Sequence, residues 1–168
     1  MNDDILTINQ CLSNPGLVIS VGASPLVKYA NTFQAKVNSR ISPAITTANA
    51  PSLALATLIA PFPNGVPALA GNLAAGFSRI YTLVATLPIT GSSTVTPTFS
   101  WIASSDFLTV SDLANFGAST VPNQSNQVVV GQVIVANGTA SAFVPGTTAL
   151  DTALLTVTYL NNYAIVGA

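Results

Sequence analysis

The sequence predicts a mainly β protein, an antiparallel β-sandwich or barrel of jelly-roll-like type with an N-terminal arm and one or two short helices. The chain has several short runs of β-branched and aromatic residues, turn signals between them, and no sustained helical period. A length of 168 residues suits one domain. We therefore expect an arm at 1–15 and one β-rich domain at 16–168, with a possible β-hairpin subregion at 16–45.

The N-terminal part alternates between turn signals and short apolar runs. Residues 3–12 have apolar side chains among polar ones and predict a short helix or an extended arm. The turn Asn-Pro-Gly at 14–16 leads into a β-branched run at 17–21, which predicts a strand. Segment 27–37 alternates apolar and polar residues, as a half-buried strand does, but Asn31 shares the apolar parity. We expect a bulge or turn to split this strand at Asn31.

The middle of the chain, 46–75, has the least regular pattern. Residues 49–51 have the features of a helix start, whereas 52–58 alternate with a period of two. The alternation favours a strand or irregular structure. The apolar loop 60–67 contains three prolines and predicts no regular element. Because it would expose apolar surface, we interpret it as a contact surface.

Two long strands are predicted in the next segment. Residues 77–87 form a long β-rich run that ends at Pro88. Residues 93–103 predict its antiparallel partner, and Pro97 within that run indicates an edge position or a bulge.

The last part of the chain predicts one short helix and three strands. Residues 109–117 predict one or two helical turns. Residues 127–136 predict a strand, and the Asn-Gly pair at 137–138 predicts a tight hairpin into 139–144. Residues 153–159 predict the last strand.

Charged residues are unusually scarce. The chain has four Lys and Arg, five Asp, no Glu and no His, so 5% of residues are charged, whereas an ordinary soluble domain carries about 25%. Hydrophobic residues make up 49% of the chain. A surface with so few charges is poorly protected against association. We infer that the faces of this protein are covered by other copies of itself or by a larger assembly.

The same shortage argues against most chemistry. Without His, neither a Ser-His-Asp nor a Cys-His arrangement is available. The single Cys11 excludes an internal disulfide, has no metal-ligand partner in sequence, and is interpreted as a small buried hydrophobe. We expect no catalytic residues, no cofactor and no metal. An enzymatic alternative would require Asp106 and Asp151 to meet in a cleft.

The basic residues and the hydropathy pattern bear on partners. A net charge of −1 gives no reason to bind nucleic acid. Lys28, Lys36 and Arg40 lie close together in sequence and are interpreted as a solvated rim. Because the chain has no apolar run of membrane-spanning length and no positively charged leader, we expect neither a membrane span nor a secretory signal.

Two segments resemble parts of virion structural proteins of tailed bacteriophages. They are 28–44, KYANTFQAKVNSRISPA, and the pair 130–135, VGQVIV, with 143–151, FVPGTTALD. The resemblance implies a capsid decoration (cement) protein or a head-fibre base, commonly trimeric. Its partners would be the major capsid protein and other copies of itself. It would be located on the exterior of the phage head after synthesis in the host cytoplasm.

Two regions are predicted to make these contacts, the N-terminal arm and the proline-rich loop. Alternatives are a head-fibre or tail-fibre module that binds host glycans, and a secreted adhesin or surface-layer module. The glycan alternative would use an aromatic platform formed by Tyr29, Tyr81, Trp101, Tyr159 and Tyr163. The predicted contact residues are Ile5, Leu6, Ile8, Leu12, Pro61, Phe62, Pro63 and Val66.

Overall fold

The computed structural model describes residues 9–37, 40–58, 68–88, 96–107 and 126–162. In these residues the chain is mainly β, as predicted, and its strand pairs are mostly antiparallel. The helical element among them is one 3₁₀ turn, Leu53–Leu55, which Ser52 caps. The strands are β1 (Gln10–Cys11), β2 (Leu17–Ile19), β3 (Val27–Tyr29), β4 (Ala35–Val37), β5 (Arg40–Ile41), β6 (Ala48–Asn49), β7 (Thr57–Leu58), β8 (Ser78–Thr86), β9 (Thr98–Ala103), β10 (Gln127–Asn137) and β11 (Leu155–Asn161).

The largest sheet has five strands in the order β11-β10-β8-β9-β7. β8 pairs antiparallel with β9 and β10, and β10 pairs antiparallel with β11. The short strand β7 joins β9 in parallel. Because the order ends in β11 on one side and β7 on the other, the described strands form an open sheet. The barrel alternative for the fold is therefore wrong for this part of the chain.

Two small sheets come from the N-terminal part of the chain. Their strand orders are β1-β4-β5 and β2-β3-β6, and all of their pairs are antiparallel. The split predicted near Asn31 is confirmed, because β3 ends before it and β4 begins after it. Asn31 donates its amide to Pro15 O at 3.1 Å and its side-chain Nδ2 to Asn14 O at 3.2 Å. These bonds draw the chain away from the strand path.

One hydrophobic core lies between the five-stranded sheet and the small sheets. Burial of this apolar surface is the main stabilising term of the fold, about 25 cal/mol per Å². The core takes Cys11 from β1, Leu17 from β2 and Val27 from β3, with Tyr81 from β8 and Trp101 from β9.

The central strand β8 is buried on both faces. On one face, Tyr81 and Leu83 belong to the main core, and on the other face Ile80 forms a second cluster with Phe107 and Ile134. In contrast, β11 alternates half-buried and exposed residues along its whole length. Other residues therefore cover both faces of the central strand β8, whereas the outer face of the edge strand β11 is exposed to solvent.

The predicted hairpin at 137–138 is wrong. Segment 139–144 does not pair with β10. The strand that pairs with β10 on this side is β11, and Phe143 forms an isolated bridge with Leu73. The Asn137 side chain donates to Leu73 O at 3.1 Å and to Ser141 O at 2.9 Å. These bonds tie the turn to a distant segment and hold the chain in a wide connection.

The other local predictions divide between confirmed strands and segments outside the described residues. Strands predicted at 17–21, 77–87, 127–136 and 153–159 correspond to β2, β8, β10 and β11. Segment 93–103 contributes β9, and Pro97 lies immediately before that strand. The helical turns predicted at 109–117 and most of the N-terminal arm lie outside the described residues.

Candidate functional site

One of the eight predicted contact residues lies in the described part of the chain. Leu12 is half-buried, and its amide donates to Gln34 O at 2.8 Å, so this end of the predicted arm is fixed against the segment before β4. The immediately preceding residues, Gln10–Cys11, form strand β1 and pair with β4. The other seven lie outside the described residues: Ile5, Leu6, Ile8, Pro61, Phe62, Pro63 and Val66.

The two carboxylates considered for catalysis have different partners. Asp106 accepts from Arg79, with the guanidinium Nη2 at 2.7 Å from its Oδ1. Asp151 accepts from the Ala23 amide at 2.8 Å and joins two loops. Both contacts are those of structural carboxylates that hold backbone or a buried cation in place.

Arg79 is a buried cation with a full set of partners. Its side chain donates to Asp106, to Gly71 O at 2.7 Å and to Asn72 O at 3.2 Å. The guanidinium carbon lies 5.9 Å from the centre of the Tyr81 ring. Burial is the main cause that raises the pKa of the Tyr81 hydroxyl; the Arg79 charge and hydrogen bond act in the opposite direction. The pair Arg79–Asp106 neutralises two of the chain's nine charges, and the Arg79 side chain is buried.

The interpretation of the three clustered basic residues as a solvated rim is wrong for one of them. Lys36 lies in β4 and is 9% exposed, whereas Arg40 in β5 is exposed and Lys28 in β3 is half-buried. β4 lies between β1 and β5 in its sheet and contacts β10, so its alternate residues are covered on both faces.

Cys11 is fully buried, as predicted. Its thiol lies 3.8 Å from Val129 O, and burial raises its pKa to about 12. A thiol with this pKa is not a nucleophile at neutral pH.

Of the aromatic residues considered as a glycan platform, the four whose structure is described do not share a surface. Tyr81 and Trp101 lie in the core, and Trp101 Nε1 donates to Pro51 O at 2.7 Å. Tyr159 is half-buried against the same core, and Tyr163 lies outside the described residues. Tyr29 lines a groove at the surface.

That groove has a volume of about 240 Å³ and lies beside an aromatic cluster. The Tyr29 ring contacts Phe33 edge-on at 5.5 Å between centroids and Phe99 at 5.4 Å. The rings pack mainly on one another, since Tyr29 is 5% exposed. The groove has an uncharged, apolar wall with threonine hydroxyls, completed by Pro43, Ala44, Ile45, Thr46, Ala48, Thr96 and Pro97.

This groove has no clear signature in the sequence. Two proline-containing segments, 42–44 and 96–98, line it, and nothing in their sequence indicates that they meet in space. A groove of this lining suits an apolar side chain or a short extended segment of another protein.

Several large apolar side chains are exposed outside the groove. Leu154 is 74% exposed, Val21 68%, Leu55 64% and Leu69 62%. Single exposed leucines are ordinary, but here they occur on a surface with few charges. Leu69 lies two residues after the predicted contact loop 60–67. It forms a bridge with Thr57, so the segments on either side of this loop lie close together.

Neither a metal site nor a membrane helix is found in the described ranges. No three metal-ligating side chains from the described segments come together. Among the residues whose structure is given, no helix is long and apolar enough to cross a membrane.

Comparisons with protein-family models, with curated proteins and with solved structures found no match to this chain.

Proposed function

We propose that this protein is a non-enzymatic structural component of a tailed-phage virion that stabilises the capsid as a decoration protein. It acts as a homo-oligomer, with a trimer favoured, and contacts the major capsid protein on the exterior of the head. The observation that carries the proposal is the combination of nine charges in 168 residues with exposed leucines and an uncharged groove.

The distribution of charge supports this proposal. Arg79 and Asp106 neutralise each other, and the Arg79 side chain is buried. Exposed ion pairs contribute about 0–1 kcal/mol each and are screened by salt, so a shell protein gains little from them. Large permanent interfaces are instead depleted of charge and resemble a domain core cut in half.

The sheet arrangement is compatible with the finer fold we propose, a sandwich of jelly-roll-like type. In it, the five-stranded sheet forms one layer and the sheets β1-β4-β5 and β2-β3-β6 form the other. Such a scaffold leaves loops and sheet edges to make contacts, while the core positions them.

The contact surface that we propose includes the N-terminal arm, the loop 60–67 and the groove beside Tyr29. Leu69 lies two residues after the loop 60–67 and is 62% exposed. Burying a leucine side chain contributes about 1.5–3 kcal/mol, so a single such residue at the contact has a measurable effect.

The test is co-sedimentation of the purified protein with expanded, undecorated phage heads. We expect saturable binding that persists in about 1 M salt, because the contacts are not ionic. Leu69→Gln should weaken binding roughly 10-fold or more, in line with the loss of one buried leucine. Val21→Gln, a change at a similarly exposed site, is the matched control and should bind normally.

Two results would oppose the proposal. One is a stable monomer that ignores expanded heads at every protein concentration tested. The other is binding to a glycan array together with location on the tail, which would support the fibre or spike alternative.

A further inference from the structure

Within the described residues, β11 is an edge strand without the usual protection against pairing. Its sequence is LTVTYLN, with no charged residue and no proline. Natural edge strands are blunted by lysine, proline, bulges or a covering segment, because their free backbone groups are a template for another strand. A long uncharged edge that lacks these features indicates a pairing site.

The opposite edge of the same sheet is covered. Segment 68–70 runs beside β7, where Leu58 N donates to Ala68 O at 2.7 Å and Ala70 N donates to Ala56 O at 2.8 Å. The edge strands of the two small sheets have two or three residues each. Within the described residues, β11 is therefore the one long strand at an uncovered edge.

The hydrogen bonds to β10 determine which backbone groups of β11 point outwards. Gly138 N donates to Leu154 O at 3.0 Å at one end, and Asn162 N donates to Val130 O at 3.1 Å at the other. Bonds in an antiparallel ladder recur at every second residue. Thr158 therefore faces β10 with its backbone groups, whereas the N–H and C=O of Val157 and Tyr159 point away from the sheet.

We propose that a second copy of this chain pairs with β11 in antiparallel orientation, about a two-fold axis at Thr158. Val157 then lies opposite the partner subunit's Tyr159 and exchanges two backbone hydrogen bonds with it, and the symmetric pair adds two more. The two five-stranded sheets become one continuous sheet of ten strands.

The side chains of β11 are complementary to themselves in this register. An aromatic residue opposite a β-branched one, and threonine opposite threonine, are both favourable cross-strand pairs. No charge of β11 meets a like charge. An unrelated partner strand would need to match the same pattern, whereas a second copy matches it by symmetry.

This inference concerns contact between copies and does not depend on the virion role. If the protein is a trimer, this two-fold contact joins trimers in pairs. If it forms no trimer, the same contact joins two single chains into a dimer. Its test therefore uses the purified protein alone, without capsids.

The test is disulfide trapping with Thr158→Cys. Thr158 is exposed on the outer face, and across the axis it forms a non-hydrogen-bonded pair with Cα atoms about 4.5 Å apart. That distance permits a disulfide. Thr156→Cys is the matched control: it has the same exposure on the same strand, but in this register it lies opposite the partner subunit's Leu160.

We expect mild oxidation to convert most Thr158→Cys protein into a covalent dimer on a non-reducing gel, and little of the Thr156→Cys protein. Native Cys11 is buried, and an alkylating reagent in the denaturing buffer blocks its thiol as the chain unfolds. The absence of a dimer with Thr158→Cys, or equal dimer from both variants, overturns the proposal.

A second variant gives an independent measurement. Thr158→Lys places two positive charges opposite each other across the axis, and like charges in this position are destabilising. We expect its mass in solution to fall by half while its circular dichroism stays unchanged. An unaltered mass with the wild-type spectrum would contradict the two-fold contact.

Discussion

The guanidinium of Arg79 lies 2.7 Å from Oδ1 of Asp106 and joins the central strand of the large sheet to the segment that follows β9. The same side chain donates to Gly71 O and Asn72 O, so three parts of the chain meet at one cation. Arg79 is 3% exposed and Asp106 31%. The cation is thus enclosed, while its counter-ion is in partial contact with water.

Removing the carboxylate should cost more stability than neutralising it. Asp106→Ala leaves a buried guanidinium without its anion, and breaking a buried pair in this way costs about 3–5 kcal/mol, reduced here by the partial exposure of Asp106. Asp106→Asn keeps a side-chain oxygen that accepts from Nε and Nη2 of Arg79, so its loss of stability should be smaller. Urea unfolding followed by tryptophan fluorescence measures both.

The double variant Arg79→Met with Asp106→Ala is the control for this prediction. Because it removes the unpaired charge, it should be more stable than Asp106→Ala alone. A double variant less stable than Asp106→Ala by the full cost of Arg79→Met would show that the two residues act independently.

Trp101→Phe should destabilise the protein by roughly 1.5–3 kcal/mol. The change removes the hydrogen bond from Nε1 to Pro51 O, which is 2.7 Å long, and leaves space in the core. Thermal unfolding followed by circular dichroism measures it, since the variant lacks the chain's one tryptophan. A loss below about 0.5 kcal/mol would mean that the site closes around phenylalanine and that water reaches Pro51 O.

Gly131→Ala should be strongly destabilising, whereas Gly22→Ala should be nearly neutral. A Cβ at Gly131 would lie 2.5 Å from Leu160 O and 2.6 Å from Leu17 Cδ1, so backbone of β11 has to move. At Gly22 the nearest atom is Asp151 Oδ2 at 3.9 Å. Overpacking of this kind costs about 1–3 kcal/mol. Equal midpoints for the two variants in urea would contradict the close approach of β10 and β11.

The stability of the protein should fall as the pH rises above about 9. The pKa of the Cys11 thiol is raised from its ordinary value of 9.0 to about 12 by burial. Between these values the unfolded chain loses the proton and the native chain keeps it, so unfolding is favoured by up to about 1.4 kcal/mol per pH unit. Below pH 9 both states are protonated and this contribution is constant.

The variant Cys11→Ala isolates this effect. Burial also raises the pKa of Tyr29, Tyr81 and Tyr159, so the variant should still lose stability in alkali, but with a shallower slope. Unfolding free energies at pH 8, 9, 10 and 11 give the two slopes. Identical slopes would mean that Cys11 ionises in the folded protein as it does in the unfolded chain.

Local pattern predicted several of the individual strands well, through alternation of apolar and polar residues or through runs of β-branched residues. The alternation in 27–37 and the break at Asn31 gave β3 and β4, and the β-branched run at 77–87 gave β8. Such patterns are readable because a strand places successive side chains on opposite faces.

Predictions that depended on distant contacts were less successful. The Asn-Gly pair at 137–138 has the signature of a tight hairpin, but the Asn137 side chain bonds to Leu73 O, 64 positions away. Lys36 has a polar residue's place in the alternation, yet β4 is buried along its whole length and Lys36 is 9% exposed. The groove beside Tyr29 joins two proline-containing segments that are far apart in sequence.

By itself, the sequence determined a mainly β chain with few charges, because residue type sets local backbone preference and the charge is fixed by composition. Tertiary structure alone decided which strand lies at an open edge and which residues share a surface. These properties depend on the order of strands in the sheets, and that order arises from contacts between residues far apart in the chain.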